Sequence, residues 1–424
     1  MNKQQLTSFL LLVLILASFF HVQPVVLGIA IVIIAMPLDQ HLAAIKMARL
    51  FALLQLPVIF GLVVGYENNT YLIFKDFYYF SIPLLFITVG IVMACRLTVD
   101  QFLKTIVLAG VITSFVVTGI SISYMGLGAL TDPYSAHYAI GIVGTPAPPL
   151  ALACLLLCRK FNIKLYTRIW FNALTAVNVL GVYMFASRTY LIITLCFLML
   201  LVADKVKRLW IPPVVLSLVI IFTLLPLDAL KVNSNSGTFV NKILGSFSEV
   251  SIGQYNTEQD INIKYRGYES FMALKGYTEG GMKDWVFGGL GKLIDLKTFV
   301  RLGEDTDFQY IPVLHNGWLY ILVKTGAVGV LLYASVFFSL IIINWRRYAD
   351  ASGRPIIRLF AALTLGCIIS LLLTNYIVTA FFNVEMSLLM ITLGYSYLNF
   401  HALVFKLKAR QEAQETKYEQ AVAY

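Results

Sequence analysis

Three side chains, far apart along the chain, carry the chemistry this sequence offers. His315 stands beside Asn316 near the start of the stretch Val313 to Leu332, VLHNGWLYILVKTGAVGVLL. A neutral imidazole is the side chain best suited to taking a proton near pH 7. Arg188 lies in FASRTYLI and Arg266 in KYRGYES. A guanidinium fork matches phosphate oxygens through paired hydrogen bonds. One base and two forks suit transfer from a donor with an anionic phosphate head. Each also has a plainer explanation. A histidine at a helix start can merely hydrogen-bond. Arg188 can snorkel to headgroups. Arg266 can pair with Glu269, three residues on.

Other residues are weaker candidates. Gly326 and Gly329 lie in the His315 stretch and are small enough to let a neighbouring helix approach closely. Lys324 either snorkels or lines a cavity. His137, with Asp132 and Tyr134, could reach the same cavity from another loop or could be an ordinary loop residue. Lys297 and Arg301 read as solvated cations. The five cysteines, Cys95, Cys154, Cys158, Cys196 and Cys367, fall in or at the ends of apolar segments. Cys154 and Cys158 have no partner pair, so buried apolar side chains are the expectation rather than a zinc site. The sequence has no GxxxxGK[ST], no GxGxxG between strand and helix, and no HExxH. Acidic residues look scarce at the positions that would reach membrane depth, so a metal-assisted nucleotide-sugar reaction has no evident ligands. No metal or cofactor is expected. An activated lipid pyrophosphate fits the residues available: its head takes arginines and its tail takes a groove between helices.

The elements that must position these groups are membrane helices. The chain has 424 residues, 59% of them hydrophobic and 13% charged. Its mean hydropathy is +0.80. A soluble domain carries roughly a quarter charged residues. Runs of about 18 apolar residues recur from end to end. About twelve spans are expected, near 7–21, 24–37, 48–65, 78–95, 103–123, 138–157, 169–186, 189–203, 209–227, 315–344, 357–375 and 378–400. The run Phe9 to Phe20 lacks a small-residue cleavage site and continues through Pro24, so it reads as retained.

Charge sets the orientation. With the first residues in the cytoplasm, alternate connections carry Lys46 and Arg49, then Arg96 and Lys104, then Arg159, Lys160, Lys164 and Arg168. Lys205, Lys207 and Arg208 follow, then Arg346, Arg347, Arg354 and Arg358. The other side holds little beyond Lys75 and Arg188. This is the positive-inside pattern, and it accounts for most of the net charge of +10 without nucleic acid. It also makes Arg188 conspicuous, since connections on that side otherwise avoid arginine. The expected fold is all-α and polytopic: membrane helices over 1–228, a helical periplasmic cap over 229–314, three more spans over 315–402, and a cytoplasmic tail over 403–424. Within the cap, Tyr265 to Tyr277 reads as an amphipathic helix and WVFGGLGK, from Trp285, as a tight turn under an aromatic.

The pattern H-N-x9-G-x-x-G, here His315, Asn316, Gly326 and Gly329, resembles the signature of the O-antigen ligase and polysaccharide polymerase superfamily. SRTYL and YRGYES are similar to that family's two short arginine motifs. The likeness covers most of the chain, including the large loop just before the histidine. It implies an inverting glycosyltransferase of the bacterial inner membrane with both termini cytoplasmic. The donor would be a glycan on undecaprenyl pyrophosphate. Arg188 and Arg266 would hold the pyrophosphate and His315 would act as general base on the acceptor hydroxyl, with Asn316, Gly326 and Gly329 in support. The acceptor would be a second lipid-linked repeat unit, for a polymerase of O-antigen or capsule, or lipid A–core, for a ligase. A chain-length regulator is a candidate partner. A flippase is a remoter alternative, but no two related halves are visible. A non-catalytic chain-length partner would not require the histidine and both arginines.

Overall fold

The computed structural model describes residues 2–36, 41–140, 144–202, 261, 264–301, 307–350 and 354–422. Helix makes up 82% of it and strand 3%. In order the helices are α1 (Lys3–Phe19), α2 (Gln23–Ala35), α3 (His41–Ala52), α4 (Leu56–Val64), α5 (Thr70–Arg96), α6 (Val99–Met125), α7 (Pro133–Ile140), α8 (Ala147–Lys160), α9 (Arg168–Met184) and α10 (Arg188–Val202). Then come α11 (Tyr265–Thr278), α12 (Met282–Phe287), strands β1 (Ile294–Arg301) and β2 (Asp307–Ile311), and helices α13 (Gly317–Asp350), α14 (Pro355–Val378) and α15 (Ser387–Val422).

Five stretches are long and apolar enough to cross a membrane: Thr70–Arg96, Val99–Leu130, Gly317–Ala349, Pro355–Val378 and Val384–Phe405. Lys3–Phe19, Gln23–Ala35, Ala48–Val64 and Arg188–Val202 are apolar but shorter. The predicted span at 209–227 lies outside the described residues. The region of the predicted span 138–157 holds two helices, the short α7 and then α8. The tail shows no break near residue 403, because α15 runs on to Val422.

The tightest helix contacts fall where small residues meet backbone. A Cβ on Gly90 of α5 would strike the carbonyl of Ile391 in α15, and a Cβ on Gly394 would strike that of Ile87. Two glycines, one per helix, therefore let α5 and α15 touch backbone to backbone. Phe102 of α6 stacks on Tyr395 beside this contact, ring centroids 3.6 Å apart.

Of the two glycines predicted for helix approach, Gly326 admits the short helix α12 and Gly329 does not meet a second helix. Gly326 sits at φ 66° and ψ −170° and interrupts α13. An L side chain rarely takes that φ, and a Cβ there would collide with the backbone of Val286 and Phe287. The break admits the last residues of the short helix α12, Val286 and Phe287, and the glycine turn that follows it. It also leaves the Lys324 carbonyl to accept from Gly289 N, at 3.1 Å. Gly329 faces no neighbouring helix: the nearest atoms to its absent Cβ belong to Thr325 and Ile321 of α13 itself.

The described residues of the expected cap, 264–301 and 307–314, are not all helical. The two strands pair antiparallel, Ile294 with Ile311 and Arg301 with Asp307. The alternating segment Ile294–Arg301 (IDLKTFVR) buries Ile294, Leu296 and Val300 on one side, the period-2 pattern of a half-buried strand. α11 begins at Tyr265, as expected from its sequence, and buries Tyr265, Tyr268, Glu269, Met272 and Ala273. After α12 the chain turns at Gly288 (φ 68°) and Gly291 (φ 78°). Phe287 packs on Phe60 of α4, ring centroids 5.3 Å apart. Leu290 N donates to the Gly61 carbonyl at 2.9 Å, so the glycine turn is bolted to both α4 and α13.

Candidate functional site

His315 lies two residues before α13, and its position is fixed on three sides. Its backbone N–H donates to Glu269 Oε1 at 2.5 Å. Its ring Nδ1 meets Glu269 Oε2 at 2.7 Å. The Tyr265 ring stands edge-on to the imidazole, centroids 5.8 Å apart. The Thr379 hydroxyl lies 2.7 Å from the His315 carbonyl and 2.5 Å from that of Leu314. Thr379 is the C-cap of α14 and takes a left-handed φ of 54°. Glu269 is 1% exposed whereas the His315 side chain is 45% exposed. A buried carboxylate thus holds one edge of an imidazole whose other edge is open.

Tyr265 lies one turn before Glu269 on α11. Burial first, and then this neighbouring carboxylate, push the Tyr265 phenol above its ordinary pKa. The Glu269 carboxyl therefore meets both the backbone N–H and the ring Nδ1 of one residue, His315.

Asn316 is the cap of α13. Its Oδ1 accepts from Trp318 N at 3.0 Å and Leu319 N at 3.3 Å. These are orphan donors of the first helical turn, and an asparagine cap of this kind contributes about 1 kcal/mol. The HN pair divides the labour: Asn316 starts the helix and His315 faces outward beside it.

His315 lines a cavity of about 310 Å³ together with Gln23, Tyr79, Thr379, Phe382 and Asn383. The wall is aromatic behind Phe382, which packs on Phe80 at 4.6 Å and on Tyr320 at 5.3 Å between ring centroids.

Arg266 lies on α11 one turn before Glu269, and i and i+3 share a helix face. One turn of α11 therefore brings Arg266 and the clamp on His315 together. Arg188 is the first residue of α10, after a three-residue link from α9 in which Ala186 has φ 43°. Two residues on, the Tyr190 hydroxyl donates to Glu385 Oε1. Glu385 N is held by Asn383 Oδ1 at 2.9 Å, and Asn383 lines the His315 cavity. Arg188 thus stands at the same end of the bundle, joined to the cavity wall through Tyr190 and Glu385. Both arginines are half-buried, and neither lines the cavity itself.

Lys324 neither snorkels nor lines that cavity. It is 1% exposed and pairs with Asp76 of α5, equally buried, at 2.7 Å. Its ammonium also donates to the Lys292 carbonyl at 2.5 Å. Asp76 accepts from Gly291 N at 2.7 Å and from the Tyr320 hydroxyl at 2.6 Å. The pair ties α5, α13 and the cap's glycine turn into one knot. Lys297 pairs with Asp295 at 2.8 Å on β1. Asp132 accepts from Ser135 N at 3.1 Å at the start of α7. The side chains of His137 and Arg301 lie outside the described residues.

Three carboxylates near the site, Asp76, Glu269 and Glu385, escaped the sequence reading, which took acidic residues to be scarce here. Only Glu269 left a signal. It was visible as Arg266's neighbour, yet it turns to His315, 46 residues away. Asp76 is the sole acid of α5, and its partner Lys324 is 248 positions along the chain. No local pattern encodes such a contact. No protein-family model matches this sequence, and no curated protein matches it.

Proposed function

We propose that this protein is a membrane glycosyltransferase that moves a glycan from undecaprenyl pyrophosphate to a sugar hydroxyl at the outer face of a bacterial inner membrane. The observation that carries the reading is the fixed, half-exposed imidazole of His315 on a cavity wall, with Arg266 one helical turn from its clamp. His315 takes the proton from the acceptor hydroxyl as that oxygen attacks the anomeric carbon. The configuration inverts, because attack and departure lie on opposite faces. Arg266 and Arg188 hold the departing pyrophosphate and offset the charge that develops on it. Asn316 and Gly326 act at one remove, by starting α13 and by docking the cap on it.

The distribution of charge supports the orientation. Lys160, Arg347 and Arg358 gather around Tyr348 and Phe400, near the far end of α13 from His315. The positive-inside rule puts that end in the cytoplasm and the His315 cavity outside. The acceptor we favour is a second lipid-linked repeat unit, which makes the protein a polymerase of O-antigen or capsule. A ligase acting on lipid A–core shares the same chemistry.

The test is complementation of a strain lacking the protein, with His315→Ala, Arg188→Ala or Arg266→Ala at normal membrane abundance. Long glycan chains vanish in each variant on this account. A gel then separates the two acceptors: lost polymerisation leaves single repeat units on lipid A–core, and lost ligation leaves none. Normal ladders from all three variants would end the glycosyltransferase reading.

A further inference from the structure

The geometry points to Glu269 as the positioning residue of the reaction, the group that sets the tautomer of His315 and steadies its ring when the proton arrives. The inference rests on the reading of His315 as general base.

An imidazole works as a base only through a nitrogen that carries no hydrogen and faces the substrate. A free histidine shares its hydrogen between Nδ1 and Nε2, and free rotation spreads the lone pair over many directions. Here both freedoms are removed by one side chain. Glu269 Oε2 lies 2.7 Å from Nδ1. Oε1 accepts the backbone N–H of the same residue at 2.5 Å. A carboxylate that grips ring and backbone together fixes the ring's torsion as well as its hydrogen. Glu269 itself cannot wander, since it is 1% exposed on the buried face of α11.

The second consequence is electrostatic. When His315 takes the acceptor's proton it becomes a cation, and the carboxylate beside it stabilises that charge without accepting the proton. This is the logic by which a buried acid orients and supports a catalytic histidine. The arrangement also links the two halves of the chemistry, because Arg266 lies on the same turn of α11. The helix that aims the base therefore carries a phosphate fork.

The test uses the full-length protein in lipid nanodiscs, with histidine labelled by nitrogen-15. The five histidines are resolved by difference against His315→Gln. The wild-type ring is expected to show hydrogen on Nδ1 and none on Nε2. In Glu269→Gln, whose amide donates as well as accepts, the Nε2-protonated form should become substantial. Transfer from a lipid-linked glycan should fall by about 10²-fold or more, the scale of a misplaced base, with the donor's KM unchanged. Glu269→Asp should recover part of the rate, which a merely structural loss would not do. A wild-type ring carrying its hydrogen on Nε2 overturns the inference whether or not the variant folds. So does a Glu269→Gln protein of unchanged tautomer and rate, which leaves the glycosyltransferase reading standing. Full transfer by His315→Gln removes the base reading itself, and this inference with it.

Discussion

On the proposed function, His315 and its two companions divide the task by chemical type, and each can be removed separately. His315→Gln keeps the ring's approximate size but has no basic nitrogen; transfer should fall by about 10²- to 10⁴-fold, measured as release of undecaprenyl pyrophosphate. Arg266→Lys keeps the charge and loses the fork. If the head is held by paired hydrogen bonds, KM for the donor rises while protein abundance stays normal. At this scale the sequence was informative about types and poor about partners. The HN pair and the two arginines stand out as candidates by their settings. The grip of Glu269 does not, because its bond to His315 spans 46 positions and depends on how α11 is laid against the start of α13. Two residues after Arg188, Tyr190 bonds Glu385 across 195 positions, a contact that no spacing rule contains.

Between elements, the decisive device is the knot of α4, α13 and the glycine turn. Gly326→Ala would place a Cβ at a positive φ and against the Val286 carbonyl. A cost of about 1–3 kcal/mol is expected, read as a lowered Tm in detergent. Gly28→Ala in α2 is the matched control: nothing lies within 4 Å of its absent Cβ, and helix propensity alone gives a gain of about 0.5–1 kcal/mol. The Asp76–Lys324 pair makes a further demand. Removing either partner leaves a buried charge alone and should cost about 3–5 kcal/mol, whereas replacing both with apolar residues should cost far less than the sum. The cap's hairpin carries a pH signature. Asp295, hydrogen-bonded by Lys297, is held down at about 2. A carboxyl held below its unfolded value of 3.8 stabilises the hairpin above that value and loses this contribution as pH falls toward about 2. Hydrogen exchange across Ile294 to Ile311 should therefore quicken over that window, and Asp295→Asn should abolish the dependence. Periodicity gave the helices and the amphipathic α11. It missed the hairpin because eight residues of mild alternation, IDLKTFVR, sit inside a loop and pair with a strand whose own pattern is only five residues long. The size argument holds for Gly326, whose neighbour is the short helix α12, whereas the backbone contact between two long helices belongs to Gly90 and Gly394.

The whole molecule is a helical bundle with apolar spans, a partly buried imidazole at one end and a cluster of cations and aromatic rings at the other. That polarity makes orientation testable without any substrate. A single cysteine at Glu279, exposed at the end of α11, should react with a membrane-impermeant maleimide in cells whose outer membrane has been opened. A single cysteine at Lys3 should react only after lysis. The reverse pattern would put the site on the wrong side for a lipid-linked donor displayed outside. Composition was enough to read a helical chain with apolar spans, since it is a sum over many residues, and the labelling pattern tests the orientation drawn from charge bias. The count of spans is less legible, because α7 and α8 break a stretch that hydropathy alone joins into one.

The most direct measurement is transfer by the purified protein in lipid nanodiscs, using lipid-linked glycan extracted from a strain that lacks it. The account predicts that the wild-type chain releases undecaprenyl pyrophosphate as glycan bonds form. It also predicts that His315→Gln binds the same donor with little change and releases almost none. Release by His315→Gln at the wild-type rate would contradict it.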